Sequence, residues 1–376
     1  MQSLYIGMKV HIYVARDLLN ALPSTIQSIT MHLFELDIEE ILEQAEEMEQ
    51  EMEEQEQQAI QQNKNSSSDE KPSKPHEALE TLQIRGSFIG LEHFLFLPFL
   101  ETCSDKLTRF ECPEARHFFD PDVSAALAKL GHFLDRLGPS DLPNSTDSID
   151  AEIAELIFLH PRLQSINLEG CKNAAALTAE AIWDSCGSCL QELYIAGCEH
   201  MTSKDVQMIL CKASQLEKFV AIGKDSALFQ DPTLLARDIT GSAWATSSLQ
   251  HFECRIVVGP LRHKQTQRHV YQQLATQPNL ERLILGHPLN YELNNPPFQL
   301  DCLDFTLKSG LKELSGLGKL QELSVMSLAH GIGVPELRWM AQNWPMLKKS
   351  HLFFCHVPSV KHGACQWISR NSNITL

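Results

Sequence analysis

The sequence predicts an α/β fold: a horseshoe-shaped solenoid with a parallel inner sheet and helices on the outside. Three observations predict it. An apolar pattern, L-x-x-L-x-L, recurs along nearly the whole chain, and stretches with helical periodicity separate its copies. The chain has 376 residues, of which 43% are apolar, so it can bury an extended core. Such repetition indicates stacked units that bury their apolar faces against one another.

The clearest copies of the pattern are LQSINLEGC, which begins at Leu163, and LQELYIAGC, which begins at Leu190. Both close on a cysteine at the same offset, Cys171 and Cys198. Periods of about 20 to 29 residues with this consensus are typical of leucine-rich repeats, and longer steps are interpreted as repeats with insertions. The template predicts twelve strands, beginning at Met1, Ile26, Leu79, Leu107, Leu163, Leu190, Leu216, Leu249, Leu280, Leu300, Leu320 and Leu347.

Helices are predicted between the strands. In the stretch TAEAIWDSC, Thr178 is expected as the N-cap with Glu180 in the first turn. In TSKDVQMILCKA, Thr202 is expected as the N-cap, with Asp205 three residues later and an apolar face behind them. The same signals predict further helices over 122–137, 149–159 and 334–343.

The outward-facing positions of the sheet are the candidate functional surface. Side chains alternate along a strand, so residues between the buried template positions face solvent. A curved parallel sheet of this length suits a protein segment and is too open for a small-molecule pocket. Because aromatic and arginine side chains dominate interface hot spots, we predict a partner-binding concave face made of Tyr194, Glu192, His251, Glu253, Arg255, Glu281 and Arg282.

Composition excludes several classes of function. The net charge is −17, and residues 39–56 alone contain ten glutamates and no basic residue. A basic footprint is absent from the sequence, which argues against binding to nucleic acid or to an anionic membrane. There is no apolar run near 18 residues and no signal peptide, so we expect a cytoplasmic or nuclear protein.

The chain divides into three predicted segments. Residues 1–38 hold the first repeats, and because Met1 falls on a template position we expect the chain to begin inside a solenoid. Residues 39–76 form an acidic, Gln-rich flexible insertion, either without a function or as an interaction segment for a basic partner. Residues 77–376 complete the solenoid, with loops at 138–150 and 287–299.

Catalytic motifs are missing from the sequence. It contains no dinucleotide-binding glycine motif, P-loop, nucleophile elbow or H-E-x-x-H, so we expect a non-catalytic protein without cofactor or metal. Its 11 cysteines are interpreted as reduced core thiols. The alternative is zinc or redox chemistry at the C-x-x-C pair Cys186 and Cys189, near Cys171 and Cys198.

The cysteine-containing L-x-x-L-x-L copies resemble the leucine-rich repeats of F-box proteins. The segments LDFTLKSGLKELSGLGKLQELSV and GVPELRWMAQNWPML are similar to the C-terminal part of the fungal type, and the resemblance covers most of 160–350. It implies repeats that select a substrate for a Skp–cullin–F-box (SCF) ubiquitin ligase. An L-P-x-E-[IL] opening is not found, since LPSTIQSIT at 22–30 belongs to a predicted strand. Docking on a Skp adaptor is therefore not implied, and a free-standing scaffold or inhibitor remains the alternative.

Overall fold

The computed structural model describes residues 3–10, 25–33, 79, 81–85, 109–111, 134–136, 146–223, 231–239, 242–259, 264–286, 303–325 and 332–351. The chain forms two compact units, Met1–Gly131 and His132–Leu376. The architecture is mixed α/β with parallel strand pairing. The predicted acidic insertion at 39–76 and the predicted loop at 287–299 lie outside the described residues.

The described residues of the first unit form four strands that pair in chain order. They are β1 (Ser3–Val10), β2 (Ser28–Leu33), β3 (Thr81–Arg85) and β4 (Arg109–Glu111). All three pairings are parallel, and template residues share one register, with Leu4, Ile29, Leu82 and Phe110 side by side. The strands predicted at Met1, Ile26, Leu79 and Leu107 are thus confirmed.

Ten strands lie in the described part of the second unit. They are β5 (Leu134–Arg136), β6 (Ser165–Asn167), β7 (Glu192–Tyr194), β8 (Lys218–Val220), β9 (Thr233–Leu235), β10 (His251–Glu253), β11 (Arg255–Val257), β12 (Arg282–Gly286), β13 (Glu322–Val325) and β14 (Lys349–His351). Seven of them form one sheet in the order β6-β7-β8-β10-β12-β13-β14, and β9 pairs with β11 in a separate two-stranded sheet. Every pairing within these two sheets is parallel.

The second residue of each strand in the seven-stranded sheet points into the core. Register aligns Phe219 with Phe252, whose rings stack with centroids 5.7 Å apart, and Trp244 lies 5.1 Å from Phe252. Six aligned apolar residues have no exposed area: Ile166, Leu193, Phe219, Phe252, Leu283 and Leu323. Burial of this row is the main driving force for stacking the strands.

Where the structure describes the second unit, six α-helices lie between its strands. They are α1 (Thr146–Leu159), α2 (Ala176–Ala181), α3 (Ser203–Lys212), α4 (Ala236–Ile239), α5 (Lys264–Ala275) and α6 (Val334–Asn343). A π-helical turn, Ile182–Cys186, continues α2. At α3 the predicted capping box is present, because the Thr202 hydroxyl accepts from the Asp205 N–H and the Asp205 carboxylate accepts from the Thr202 N–H. The helix predicted over 334–343 has these bounds in the structure.

Three local predictions about helices and loops were wrong. Thr178 does not cap α2, which begins two residues earlier, because its hydroxyl donates to the Asp150 carboxylate at 2.6 Å; Glu180 is accordingly not in the first turn. Of the helix predicted over 122–137, the described residues 134–136 form a strand, β5, and the remainder lies outside the described residues. The loop predicted over 138–150 is helical from Thr146 onward.

The strand predicted at Leu300 was also wrong over its described part. Leu303 and Phe305 lie outside any strand, and β12 pairs directly with β13. Both side chains are nevertheless buried, and Phe305 meets Tyr271 of α5 edge to face at 5.7 Å. A 3-10 helix, Leu311–Gly316, follows. At this position the apolar template therefore indicates side chains that are buried, with Phe305 against a helix, and does not indicate a paired strand.

The described helices include none that is long and apolar enough to span a bilayer. The longest α-helix in the described part of the second unit, α1, has 14 residues, whereas a span needs about 20 apolar residues.

Candidate protein-binding surface

The first and third residues of the strands in the seven-stranded sheet share one face, which we call the strand face. The register of the parallel strands determines which of these residues lie side by side on adjacent strands. The first row reads Ser165, Glu192, Lys218, His251, Arg282, Glu322 and Lys349, and the third-position row reads Asn167, Tyr194, Val220, Glu253, Ile284, Ser324 and His351. Five consecutive members of the first row, from Glu192 to Glu322, are half-buried, and so are Tyr194 and Val220.

A regular main-chain ladder fixes the spacing of the strand face. The Gln164 carbonyl accepts from two consecutive N–H groups of the next strand, those of Gln191 and Glu192, at 2.7 and 2.9 Å. The same double acceptance recurs at Gln191, Glu217, Gln250, Glu281 and Gln321. Adjacent strands in such a ladder are about 4.8 Å apart. The side chains are therefore held by the backbone at regular intervals.

Tyr194, Glu192 and Lys218 form a cluster at one end of this row. The Tyr194 hydroxyl donates to the Glu192 carboxylate at 2.9 Å. The Lys218 ammonium lies 4.8 Å from the centroid of the Tyr194 ring, within the range of a cation–π contact. The cluster presents an aromatic ring flanked by charges of both signs.

Arg282 is held between two carboxylates from neighbouring strands. Its Nε lies 3.2 Å from Glu253 Oε1 and 3.3 Å from Glu322 Oε2. The Arg282 side chain is 38% exposed and that of Glu253 only 9%. Arg282 is thus a pre-oriented cation with an accessible edge, and Glu253 serves chiefly to position it.

His251 lies between Lys218 and Arg282 in the first row. Burial lowers the pKa of His251 below its usual 6.5, and the positive charges of Lys218 and Arg282 lower it further, against the opposing effect of Glu253 and Glu281. A neutral imidazole can both donate and accept a hydrogen bond. This ring therefore adds a polar contact to the row without adding positive charge.

The structure brings together five of the seven predicted partner-binding residues: Glu192, Tyr194, His251, Glu253 and Arg282. Glu281 directly precedes β12 and its carboxylate accepts from the Gln321 amide at 3.1 Å. Arg255 is placed differently, on β11 in the two-stranded sheet. The whole Glu253 residue is only 7% exposed, so it would affect partner binding chiefly by orienting Arg282.

Among the strand-face residues that the selection from sequence left out, Lys218 and Glu322 directly contact selected residues. Lys218 covers the Tyr194 ring, and Glu322 is the second carboxylate of Arg282. Both occupy the template position of Glu192 and Arg282, so the register of the repeat was the signal that could have found them.

Four of the six described cysteines fit the interpretation as core thiols, whereas Cys189 and Cys211 are half-buried. Cys171, Cys186, Cys198 and Cys254 are buried and free. Burial, with a smaller contribution from the neighbouring Cys189, raises the pKa of the Cys186 thiol to about 12. Among the described residues no three His, Cys, Asp or Glu side chains are placed to hold a metal ion. A thiol that stays protonated is a poor nucleophile.

Comparison with known proteins adds no relative to these observations. The sequence matches no protein-family model and no curated protein.

Proposed function

We propose that this chain is a non-catalytic leucine-rich-repeat solenoid that recognises another protein through its strand face. Within this proposal the repeats form the substrate-binding part of an F-box type SCF ubiquitin ligase receptor, working inside the cell. The polar and aromatic strand face supports the proposal of protein recognition. The resemblance of the cysteine-containing repeats to those of F-box proteins supports the proposed role in a ubiquitin ligase receptor.

One observation carries the recognition proposal: the unbroken register of polar side chains from Glu192 to Lys349. Six neighbouring strands of the sheet contribute one side chain each to this part of the first row. The row mixes both signs of charge and flanks the Tyr194 ring, which is the composition expected of a polar protein interface with an aromatic anchor. Partner side chains of opposite charge would fix the register of binding.

Affinity purification with mass spectrometry tests the proposal. The test variant is Tyr194→Ala with Lys218→Ala, which removes one large side chain and one lysine from the strand face without leaving a buried charge. The matched control is Met208→Ala with Lys204→Ala on α3, which removes one large side chain and one lysine from an exposed helix surface. We expect partners of the wild-type chain to be lost from the test variant and retained by the control. If both variants captured the partners equally well, the strand face would not be the partner-binding surface.

The same purification separates the two versions of the function. Co-purification of a Skp adaptor with the wild-type chain supports a ubiquitin-ligase receptor. Partner capture that depends on the strand face but brings no Skp adaptor, cullin or ubiquitin conjugate supports a free-standing scaffold or inhibitor instead.

A further inference from the structure

A basic groove lies between α5 and the loop that precedes the 3-10 helix. Its volume is about 670 Å³, within the ~300–1,000 Å³ of ligand-binding clefts. One wall carries Lys264, Arg268 and His269 of α5, and the other carries Lys308 and Lys312. All five side chains are exposed. No strand-face residue lines this groove, so a ligand bound in it would be independent of partner recognition by the strand face.

The charge of the groove is opposite to that of the chain, which carries −17 overall. Arg268 pairs with Glu313 at 2.9 Å, whereas none of the three lysines appears in a salt bridge of the described residues. Of the described residues, no Asp or Glu lines the groove. The clustered positive charges of the lining make the electrostatic potential in the groove positive, although the protein as a whole is acidic.

The floor of the groove is fixed by packing. Gly310 has a φ of +118°, and a Cβ there would lie 3.0 Å from Tyr271 Cδ2 of α5, so only glycine allows the loop to approach the helix this closely. The Ser309 hydroxyl donates to the Asp304 carboxylate at 2.6 Å, and the Tyr271 hydroxyl donates to the Asp304 carbonyl at 2.9 Å. The two basic walls are therefore held at a defined separation.

We propose that this groove binds an acidic peptide segment of a partner protein. The lysines would pair with carboxylates. Gln265 and Gln272, also in the lining, can donate to and accept from a peptide backbone. Half-buried Leu307 offers one apolar contact. This combination suits an extended acidic peptide, which carries carboxylates, amides and side chains together.

The lining is less suited to nucleic acid. Single-stranded nucleic acids are held by aromatic side chains on which bases stack, and no Phe, Tyr or Trp lies in the described lining of the groove. Nucleic-acid binding also depends on many phosphate contacts, whereas this cluster is small and belongs to a chain with a net charge of −17.

Fluorescence anisotropy with a labelled oligo-glutamate peptide containing one leucine tests the inference. The test variant is Lys264→Gln with Lys308→Gln and Lys312→Gln. We expect its dissociation constant for the peptide to be about tenfold weaker than that of the wild-type chain, as three exposed ion pairs together would give. The matched control, Arg162→Gln with Lys204→Gln and Lys212→Gln, changes net charge equally at positions outside the groove and should bind within about twofold of wild type.

Three outcomes would overturn the inference. The first is no measurable peptide binding by the wild-type chain. The second is an equal loss of affinity in the test and control variants, which would indicate a non-specific charge effect. The third is tighter binding of a single-stranded RNA with the same number of charges, lost in the test variant, which would assign the groove to nucleic acid. Because none of the six substituted side chains is buried, circular dichroism should show the wild-type spectrum for both variants.

Discussion

At the scale of single residues, the surroundings of His251 on the strand face lower its pKa. Burial and the charges of Lys218 and Arg282 lower its folded-state pKa below 6.5, the value expected in the unfolded chain. Between the folded-state pKa and the unfolded-state pKa of His251, the unfolded state binds more protons than the folded state. The free energy of unfolding therefore falls as the pH drops below 6.5, and the contribution is constant above it.

We expect His251→Gln to remove this part of the pH dependence. Urea unfolding of the wild-type chain and the variant, measured on both sides of pH 6.5, gives the comparison. The wild-type chain should lose more stability on acidification than the variant. His200→Gln, an exposed histidine outside the strand face and the basic groove, is the control and should behave as wild type. An identical loss in wild type and His251→Gln would contradict the lowered pKa.

The buried cysteines give a second test at the scale of residues. Burial raises the pKa of Cys171 and Cys186 to about 12, and it raises those of Cys198 and Cys254 as well. Cys189 and Cys211 are half-buried, and burial raises their pKa values too. Alkylation needs both thiolate and access.

Under native conditions we expect iodoacetamide to modify Cys189 and Cys211 well before the four buried thiols. In denaturant all six should react at similar rates. Peptide mass spectrometry over a time course measures each site. If Cys186 reacted as fast as Cys189 in the native chain, the alternative of a reactive thiol pair would be favoured over the core interpretation.

At the scale of elements, Asp150 joins α1 to α2. Its carboxylate accepts from the backbone N–H groups of Ala175, Leu177 and Thr178 at 2.8, 3.0 and 3.0 Å, and from the Thr178 hydroxyl at 2.6 Å. A side chain from another helix thus satisfies the N–H groups at the start of α2, which its own N-cap, Ala175, cannot do.

Asp150→Ala should destabilise the second unit by about 2 kcal/mol, because buried donors lose their acceptor. Denaturant unfolding should show a lower midpoint with an unchanged m-value. Asp184→Ala, at an exposed position of the π-helical turn, is the control and should change stability by less than about 0.5 kcal/mol. Equal effects of the two substitutions would contradict the capping role of Asp150.

Elements that follow the strict apolar template could be predicted from sequence. The template located the strands of the first unit and six of the seven in the larger sheet closely, and the degenerate copy at Leu347 also gave a strand, β14. β9 and β11 were missed because TLL and RIV carry no template and pair only with each other. Helix α5 was missed as well, since KQTQRHVYQQLA shows few apolar residues although Val270, Tyr271 and Leu274 are buried.

Wrong predictions arose where a tertiary contact replaced a local one. Thr178 has the side chain of an N-cap but bonds to Asp150 from another helix. Leu303 and Phe305 fit the strand template but are buried without strand pairing, Phe305 against Tyr271. On the strand face, residue type and register could be predicted, whereas the pairing of Arg282 with both Glu253 and Glu322 required three dimensions.

At the scale of the whole molecule, the second unit presents two surfaces of different character. The strand face mixes both signs of charge around an aromatic ring, and the basic groove carries positive charge alone. The groove could not be predicted from sequence, since Lys264 is distant along the chain from Lys308 and Lys312 and no basic run marks it. The fold brings these side chains together.

Site-specific photo-cross-linking is the measurement that most directly tests whether the strand face holds a partner. A benzophenone amino acid would replace Val220, which is half-buried on the strand face, or Met208, which is exposed on α3. We predict that the partner recovered by affinity purification is cross-linked from position 220 and not from position 208. Cross-linking of that partner from position 208 alone, or equally from both positions, would contradict the proposal.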